Sequence, residues 1–136
     1  MATGVSFTNF TEAKVLNAVL RNTAFTPPVA LYAALFTASP TDAGGGTECG
    51  YTGYARQATA SWGAPVAGSP SSSTSTHTAA LTFAAPAGNQ SITAVGLYDA
   101  SSGGNLWAYV VYSSPIVLLA GQPGTVAASS MLFTVD

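Results

Sequence analysis

Few side chains in this sequence have the types and the spacing that chemistry requires. Cys49 and His77 are the single cysteine and the single histidine, so they offer one nucleophile and one base. Cys49 lies in a glycine-rich segment with no motif that orients a nucleophile, which favours an unrelated loop thiol and strand histidine. A Ser/His/Asp set built from His77 and Asp99 carries little information, because serine is abundant and no G-x-S-x-G turn is present.

The acidic side chains offer a second kind of chemistry. Asp42 and Glu48 share one long loop, and two converging carboxylates are what glycoside hydrolysis uses, although solvation of a neutral loop explains the pair equally well. One histidine, one cysteine and scattered acids do not have the ligand spacing of a metal site. The run Gly44-Gly45-Gly46 is followed by Thr47 and not by Gly-Lys-Ser/Thr, so it is not a phosphate loop. We therefore predict no enzyme, no cofactor and no metal.

Charge is unusually scarce in the chain as a whole. Charged residues make up 6% of the 136 residues, whereas soluble domains usually carry about 25%. Three basic residues cannot neutralise enough phosphates for nucleic-acid binding. A near-neutral surface tends to associate, and charged groups are depleted from the cores of interfaces. We therefore expect a structural subunit of a larger assembly; the alternative is a secreted domain that its Ser and Thr hydroxyls keep soluble.

The same sequence lacks the segments that direct a chain to or across a membrane. Residues 1–10 have neither the basic nor the apolar region of a secretory signal. The longest apolar stretch, residues 106–120, is interrupted by Ser113, Ser114 and Pro115 and is too short to span a bilayer. We expect one domain over residues 1–136, made in the cytoplasm, with no membrane partner.

One helix is predicted near the start of the chain. Asn9 can serve as its N-cap with Glu12 in capping-box position, and Asn22-Thr23 should end it before Pro27 and Pro28. An apolar stripe at helical spacing is formed by Phe10, Ala13, Val15, Leu16, Val19 and Leu20. Lys14, Asn17 and Arg21 lie on the other side, so we expect the stripe to pack on the core.

The remainder of the sequence has the pattern of short strands separated by turns. The predicted strands are residues 29–37, 54–62, 76–83, 92–98, 105–112, 116–119 and 125–135. Residues 99–104 have hairpin turn chemistry, while residues 39–53 and 64–75 read as loops. About seven or eight short strands with regular turns predict a mainly β domain, an antiparallel β-sandwich or jelly-roll-like fold with one N-terminal α-helix.

Aromatic side chains beside the loops are the best candidates for contacts with a partner. Most of the Tyr and Trp residues lie within predicted strands, where core packing is the default. Tyr51 and Trp62 adjoin the loops and are the ones we expect to anchor an interface. With them we group three charged residues near the same loops as candidate interface residues: Asp42, Glu48 and Arg56.

Several segments together resemble a family of small tailed-phage virion proteins. The resemblance begins with VLNAVLRNTAFTPP (residues 15–28) and the strand VALYAALFT (residues 29–37), and continues with Gly46-Thr47-Glu48 and GYARQ (residues 53–57). Further matches are AVGLYDA (residues 94–100), Gly103 to Leu106, and the closing residues 124–136. They cover nearly the whole chain in the right order, and the chain departs from the family in residues 64–75.

The resemblance implies a virion protein without deciding where in the particle it lies. Such proteins are usually labelled tail fibre, whereas similar small β-rich phage proteins are capsid cement or decoration subunits. A short chain without repeats favours a cement subunit on the outer face of the major capsid protein shell, present as a dimer or trimer. The N-terminal arm (residues 1–8) and the two loops would reach its neighbours. The alternative is a minor tail or fibre protein that binds a host receptor or glycan.

Overall fold

The computed structural model describes residues 2–59, 61–67, 73–128 and 130–135, which form one helix and eleven strands. In chain order these elements are β1 (Ala2–Phe7), α1 (Asn9–Arg21), β2 (Tyr32–Ala38), β3 (Thr47–Glu48), β4 (Gln57–Ala58), β5 (Val66–Ala67), β6 (Ser73–Thr76), β7 (Leu81–Phe83), β8 (Gln90–Tyr98), β9 (Leu106–Leu118), β10 (Gly124–Val126) and β11 (Leu132–Val135). The prediction of a mainly β fold with one N-terminal helix is confirmed.

A six-stranded antiparallel sheet organises the molecule. Its strand order is β1-β9-β8-β2-β3, and β4 also pairs with β2. The predicted hairpin is present as β8 and β9, with Gly96 opposite Tyr109. Two smaller antiparallel sheets, β10-β7 and β11-β6-β5, complete the described strands. This arrangement is consistent with the predicted sandwich.

The core lies against the central strands of the main sheet. Ala33, Ala34, Leu35 and Phe36 of β2 are all buried, as expected for an apolar run covered on both faces. A Cβ added at Gly96 in β8 would lie 2.8 Å from the Phe36 ring and 2.7 Å from a Leu106 methyl carbon. The absence of a side chain at Gly96 therefore allows Phe36 to pack directly against the neighbouring strand.

Several predicted strands have different boundaries in the structure. Strand β2 begins at Tyr32, three residues later than predicted, and Val29 is exposed. Among the described residues of predicted strand 54–62, the structure has only β4 and an isolated bridge between Trp62 and His77. The described residues of predicted strands 76–83 and 125–135 are each divided between two shorter strands. The first contains the end of β6 and β7, the second contains β10 and β11, and β10 pairs with β7 whereas β11 pairs with β6.

Residues 116–119 do not form a separate strand, because β9 runs through Pro115. Opposite β9, the register of β8 passes from Ile92↔Ile116 to Ala94↔Val111. The extra residues of β9 form a bulge that contains Pro115, where the missing N–H does not interrupt the ladder. The bulge therefore joins two predicted strands into one.

The N-terminal arm is also part of the sheet rather than a free extension. Strand β1 pairs with β9, with Val5 opposite Val110 and Phe7 opposite Ala108. The described residues 2–7 form an edge strand of the main sheet rather than a free arm, and contact of residues 1–8 with a neighbouring subunit stays a prediction.

The helix begins at Asn9, so its N-cap lies one residue before the predicted one. Thr8 is the N-cap, and its side chain makes no capping hydrogen bond. Its hydroxyl instead donates to the Leu106 carbonyl at 2.6 Å, so the predicted capping box of Asn9 and Glu12 is not formed. At the other end Asn22 adopts the left-handed conformation (φ 51°) and closes the helix as expected.

The face of α1 that meets the rest of the protein is the opposite of the expected one. Thr11 is the buried residue of the helix, and its hydroxyl donates to the Trp107 carbonyl at 2.6 Å. Lys14 and Asn17 are half-buried, whereas Leu16 and Leu20 are exposed. The hydrogen bonds of Thr8 and Thr11 fix the helix in this rotation. Phe10 of the predicted stripe packs on Trp107, whereas Val15, Leu16, Val19 and Leu20 are turned toward solvent.

Candidate functional site

Arg56, one of the predicted interface residues, joins two distant parts of the main sheet. Its guanidinium donates to both carboxylate oxygens of Glu48, from Nε at 2.9 Å and from Nη2 at 2.7 Å. Nη1 donates to the carbonyls of Ala100 at 2.9 Å and Gly103 at 2.7 Å. The guanidinium also lies 3.5 Å from the centre of the Tyr98 ring. We call this group the Arg56 cluster.

Tyr54 adds a further donor to the Arg56 cluster. Its hydroxyl donates to Glu48 Oε1 at 2.9 Å and accepts a hydrogen bond from the Leu35 amide at 2.9 Å. Burial raises the pKa of Tyr54 far above its usual range, so this hydroxyl stays protonated. The hydrogen bond with Glu48 raises the pKa of Arg56 further. The cluster therefore holds a fixed ion pair that ties β3 and the segment before β4 to the β8–β9 turn.

Asp99 organises the same turn from inside. It accepts hydrogen bonds from the Asn105 amide at 2.7 Å, the Asn105 side chain at 2.9 Å and Trp107 Nε1 at 3.1 Å. Burial alone raises the pKa of Asp99, but the hydrogen bonds from Asn105 and Trp107 outweigh it and hold the pKa below its ordinary value. Asp99 is therefore an ionised turn residue rather than the third member of a catalytic set.

Asp42 lies at a different place from Glu48 and has different partners. Its carboxylate accepts a hydrogen bond from the Tyr109 hydroxyl at 2.6 Å, and its carbonyl accepts one from the Asn9 amide at 2.8 Å. The loop that carries Asp42 and Glu48 is thus attached to α1, β9 and β2 of its own chain. Each carboxylate has donors of its own, which does not favour the glycoside interpretation of the pair.

Tyr51 and Trp62 are both half-buried against the core. Tyr51 donates to the Ala84 carbonyl at 2.8 Å, and Trp62 Nε1 donates to the Thr59 hydroxyl at 3.1 Å. Trp62 also borders an open apolar hollow of about 490 Å³ together with Pro28. Neither ring is fully enclosed, so their role as interface anchors stays a prediction.

His77 is fully buried, with 0% of its surface exposed. Neither ring nitrogen has a hydrogen-bond partner among the described residues, and the Trp62 ring lies edge-on at 5.3 Å. Burial lowers the pKa of His77, so the ring is neutral at pH 7. Because the imidazole is enclosed by the protein, it is not open to a substrate.

Cys49 is buried as well, and its amide donates to the Leu35 carbonyl at 2.8 Å. Burial, and secondarily the Glu48 charge, raises the pKa of the thiol to about 11. A thiol is nucleophilic as the thiolate, which this environment disfavours. The Cys49 and His77 side chains therefore each have a packing role in the described structure.

No group of three or more His, Cys, Asp or Glu side chains in the described ranges is placed to hold a metal ion. Among those same residues, no helix is long and apolar enough to cross a membrane.

Two features of the structure are not predicted by the sequence: the exposed stripe on α1 and the Arg56 cluster. The exposed stripe on α1 has a clear sequence pattern, but periodicity gives the stripe and not the direction in which it points. The Arg56 cluster has no local sequence signal beyond its members Glu48, Tyr54 and Arg56, because the other partners of the guanidinium come from the end of β8 and the β8–β9 turn.

The described body is mainly β, with Asp42, Glu48, Arg56 and Asp99 in contacts within the chain and an exposed apolar face on α1. The sequence matches a family model described as podophage GP4 fiber I protein gp80 over residues 6–134. The chain therefore belongs to this family of podophage fibre proteins, which confirms the resemblance to small tailed-phage virion proteins. A search of curated proteins finds no match.

Proposed function

We propose that this protein is a non-enzymatic structural subunit of the phage fibre. The observation that carries the proposal is the family match over residues 6–134, which covers nearly the whole chain. The arrangement of the charged residues supports it, because Glu48, Arg56 and Asp99 hold the fold together instead of converging on a cleft. In this role the protein binds other virion proteins, and neither nucleic acid nor a membrane.

A second candidate is a cement subunit on the outer face of the major capsid protein shell. It is supported by the topology of the described strands. They form one main sheet that ends at β1 and β3, together with two small sheets, and they do not form a repeated shaft. The argument that the loop of residues 39–53 reaches neighbouring subunits is weakened, because residues 42, 48 and 49 of this loop contact their own domain. Residues 68–72, within the predicted reaching segment 64–75, lie outside the described residues.

Location in the particle separates the two candidates. Purified virions labelled with gold-conjugated antibody against this protein, and imaged by electron microscopy, should carry label at the tail in a few copies. Antibody against the major capsid protein gives the matched shell-wide pattern. Label for this protein that covers the shell in the same way would overturn the fibre proposal and favour the cement subunit.

Receptor or glycan binding by the fibre is a finer proposal that rests on Trp62 and Tyr51. The apolar hollow beside Trp62 and the half-exposed Tyr51 ring offer flat surfaces on which a sugar can stack. Purified protein should then protect host cells from phage adsorption in a competition assay. Protein with Trp62→Ala, once shown to be folded, should compete less well; equal competition would remove Trp62 from receptor binding.

A further inference from the structure

His77 is a fully enclosed polar side chain for which the fold provides no partner among the described residues. None of its surface is exposed, and neither Nδ1 nor Nε2 has a hydrogen-bond partner there. Most buried polar side-chain atoms in proteins have such a partner, so this exception calls for an explanation. A neutral imidazole leaves one donor and one acceptor unpaired, whereas a protonated one would leave two donors and a charge. The closed structure therefore tolerates His77 only as the neutral ring.

Three segments of the chain meet at His77. Its amide donates to the Met131 carbonyl at 3.1 Å, and His77 also forms an isolated antiparallel bridge with Trp62. On either side of this bridge, the backbones of residues 61–63 and 76–78 exchange hydrogen bonds of 2.8 and 2.9 Å. His77 therefore lies where β6, the end of the segment before β11 and the segment around Trp62 are joined.

The sheet that ends at His77 is attached less firmly than the main sheet. Strands β5, β6 and β11 pair only with one another among the described strands, and their described side chains are half-buried or exposed. In the main sheet, by contrast, β2 and β8 each have four consecutive buried residues. Segments with few buried contacts open at a lower free energy than the core strands do. The small sheet can therefore separate while the main sheet stays paired.

No charged group offsets the cost of protonating the ring. The segments that meet there, residues 61–63, 73–78 and 130–135, contain no titratable side chain other than His77, and neither does β1, which contacts β11. Burial alone holds the pKa of His77 below the ordinary value of 6.5. A ring that reaches water binds the proton more tightly than the enclosed ring does. Any opening that brings His77 into water is therefore favoured as the pH falls below 6.5.

We propose that His77 is an acid-sensitive switch, whose protonation releases the sheet of β5, β6 and β11 while the six-stranded main sheet stays folded. Release brings the imidazole into water, together with the Trp62 ring that lies edge-on to it at 5.3 Å. The switch is local, because the strands that it releases share no backbone pairing with the main sheet in the described chain. This inference is independent of where in the particle the protein lies.

Hydrogen exchange of the purified full chain, measured by mass spectrometry at pH 7.5 and pH 5.5, tests the proposal. After correction for intrinsic exchange rates, the amides of residues 73–77 and 131–135 should exchange several-fold faster at pH 5.5. The increase is limited to about ten-fold, because one group with an ordinary pKa of about 6.5 shifts an opening equilibrium by no more than that between these pH values. The amides of β2 and β8 should stay protected at both pH values; exchange as fast as in residues 73–77 would mean that the whole domain opens and would overturn the proposal.

The matched variants are His77→Phe and His77→Gln, neither of which titrates in this pH range. Comparing each variant with the natural protein at the same pH cancels the intrinsic exchange rates, and a variant that circular dichroism shows to be folded should lack the increase at pH 5.5. An increase that persists in a folded variant would contradict the role of His77. Since His77 is the single histidine, its Cε1 proton can also be followed by NMR, and a pKa at or above 6.5 in the folded protein would equally overturn the proposal.

Discussion

His77 makes the stability of this protein sensitive to mild acid. Burial lowers its pKa in the folded protein below the ordinary value of 6.5. Between the lowered pKa and 6.5, the unfolded chain binds a proton that the folded chain does not. The free energy of unfolding is therefore highest above pH 6.5 and falls as the pH decreases through this range.

We expect the natural protein to lose up to about 1 kcal/mol of stability between about pH 7.5 and pH 5.5, measured by urea unfolding. His77→Phe keeps an aromatic ring beside Trp62 and has no titrating group, so its stability should change less over the same range. Since His77 is the single histidine, the difference between the two proteins reports on this residue. An identical pH dependence in both would contradict the prediction.

Among the charged side chains, Arg56 is the one whose removal should lower the free energy of unfolding the most. Its side chain is 7% exposed, and Glu48 is 25% exposed. Arg56→Ala would leave the Glu48 carboxylate and the carbonyls of Ala100 and Gly103 without this donor. We expect a loss of about 3 kcal/mol in the free energy of unfolding, measured by denaturant titration.

The matched control for Arg56 is Arg21→Ala. Arg21 is exposed and donates to the Asn17 side chain at 3.2 Å, so its removal should change stability by no more than about 0.5 kcal/mol. Equal effects of the two substitutions would show that the Arg56 cluster does not stabilise the fold.

At the scale of elements, the packing between β2 and β8 depends on one position without a side chain. A methyl group at Gly96 would approach Phe36 and Leu106 to less than 3 Å. We expect Gly96→Ala to lower the melting temperature and to cost roughly 1–3 kcal/mol, because two core side chains must move. Gly88→Ala is the control, since its added methyl group would meet nothing within 4 Å; a similar loss there would argue against the packing explanation.

The elements that were predicted well are those that local sequence specifies. Strands β8 and β9 are apolar segments on either side of a turn. This turn contains Gly103 and Gly104, and both glycines have positive φ. Helix α1 follows from its periodicity and ends at Asn22 as expected. The rotation of α1 was predicted wrongly, because the hydrogen bonds of Thr8 and Thr11 to β9 join residues nearly a hundred positions apart.

The sequence predicted some residues of the candidate site but not how they are arranged. Glu48 and Arg56 were both selected from the sequence, but their bidentate pairing depends on β3 and the segment before β4 lying on the same side of β2. The Asp99 network could be anticipated as a turn, whereas the donation from Trp107 depends on the register of β9. Such contacts follow from strand pairing, which composition and periodicity do not encode.

At the scale of the whole molecule, the scarcity of charge should govern solubility. The formal net charge is −2 at pH 7 and the isoelectric point is about 5.0, so there is little repulsion between copies at any nearby pH. We expect the protein to be least soluble near pH 5, measured by light scattering against pH at constant ionic strength. Lower scattering at pH 5 than at pH 7 would contradict this expectation.

The pairing of β1 with β9 has a consequence for how the chain folds during synthesis. Strand β1 finds its partner in residues 108–112, so that edge of the sheet stays open until those residues of β9 have been made. Pairings between such distant segments form slowly, and unpaired strands invite association. A nascent chain that stops before residue 108 would therefore carry an exposed β1 with no strand to join.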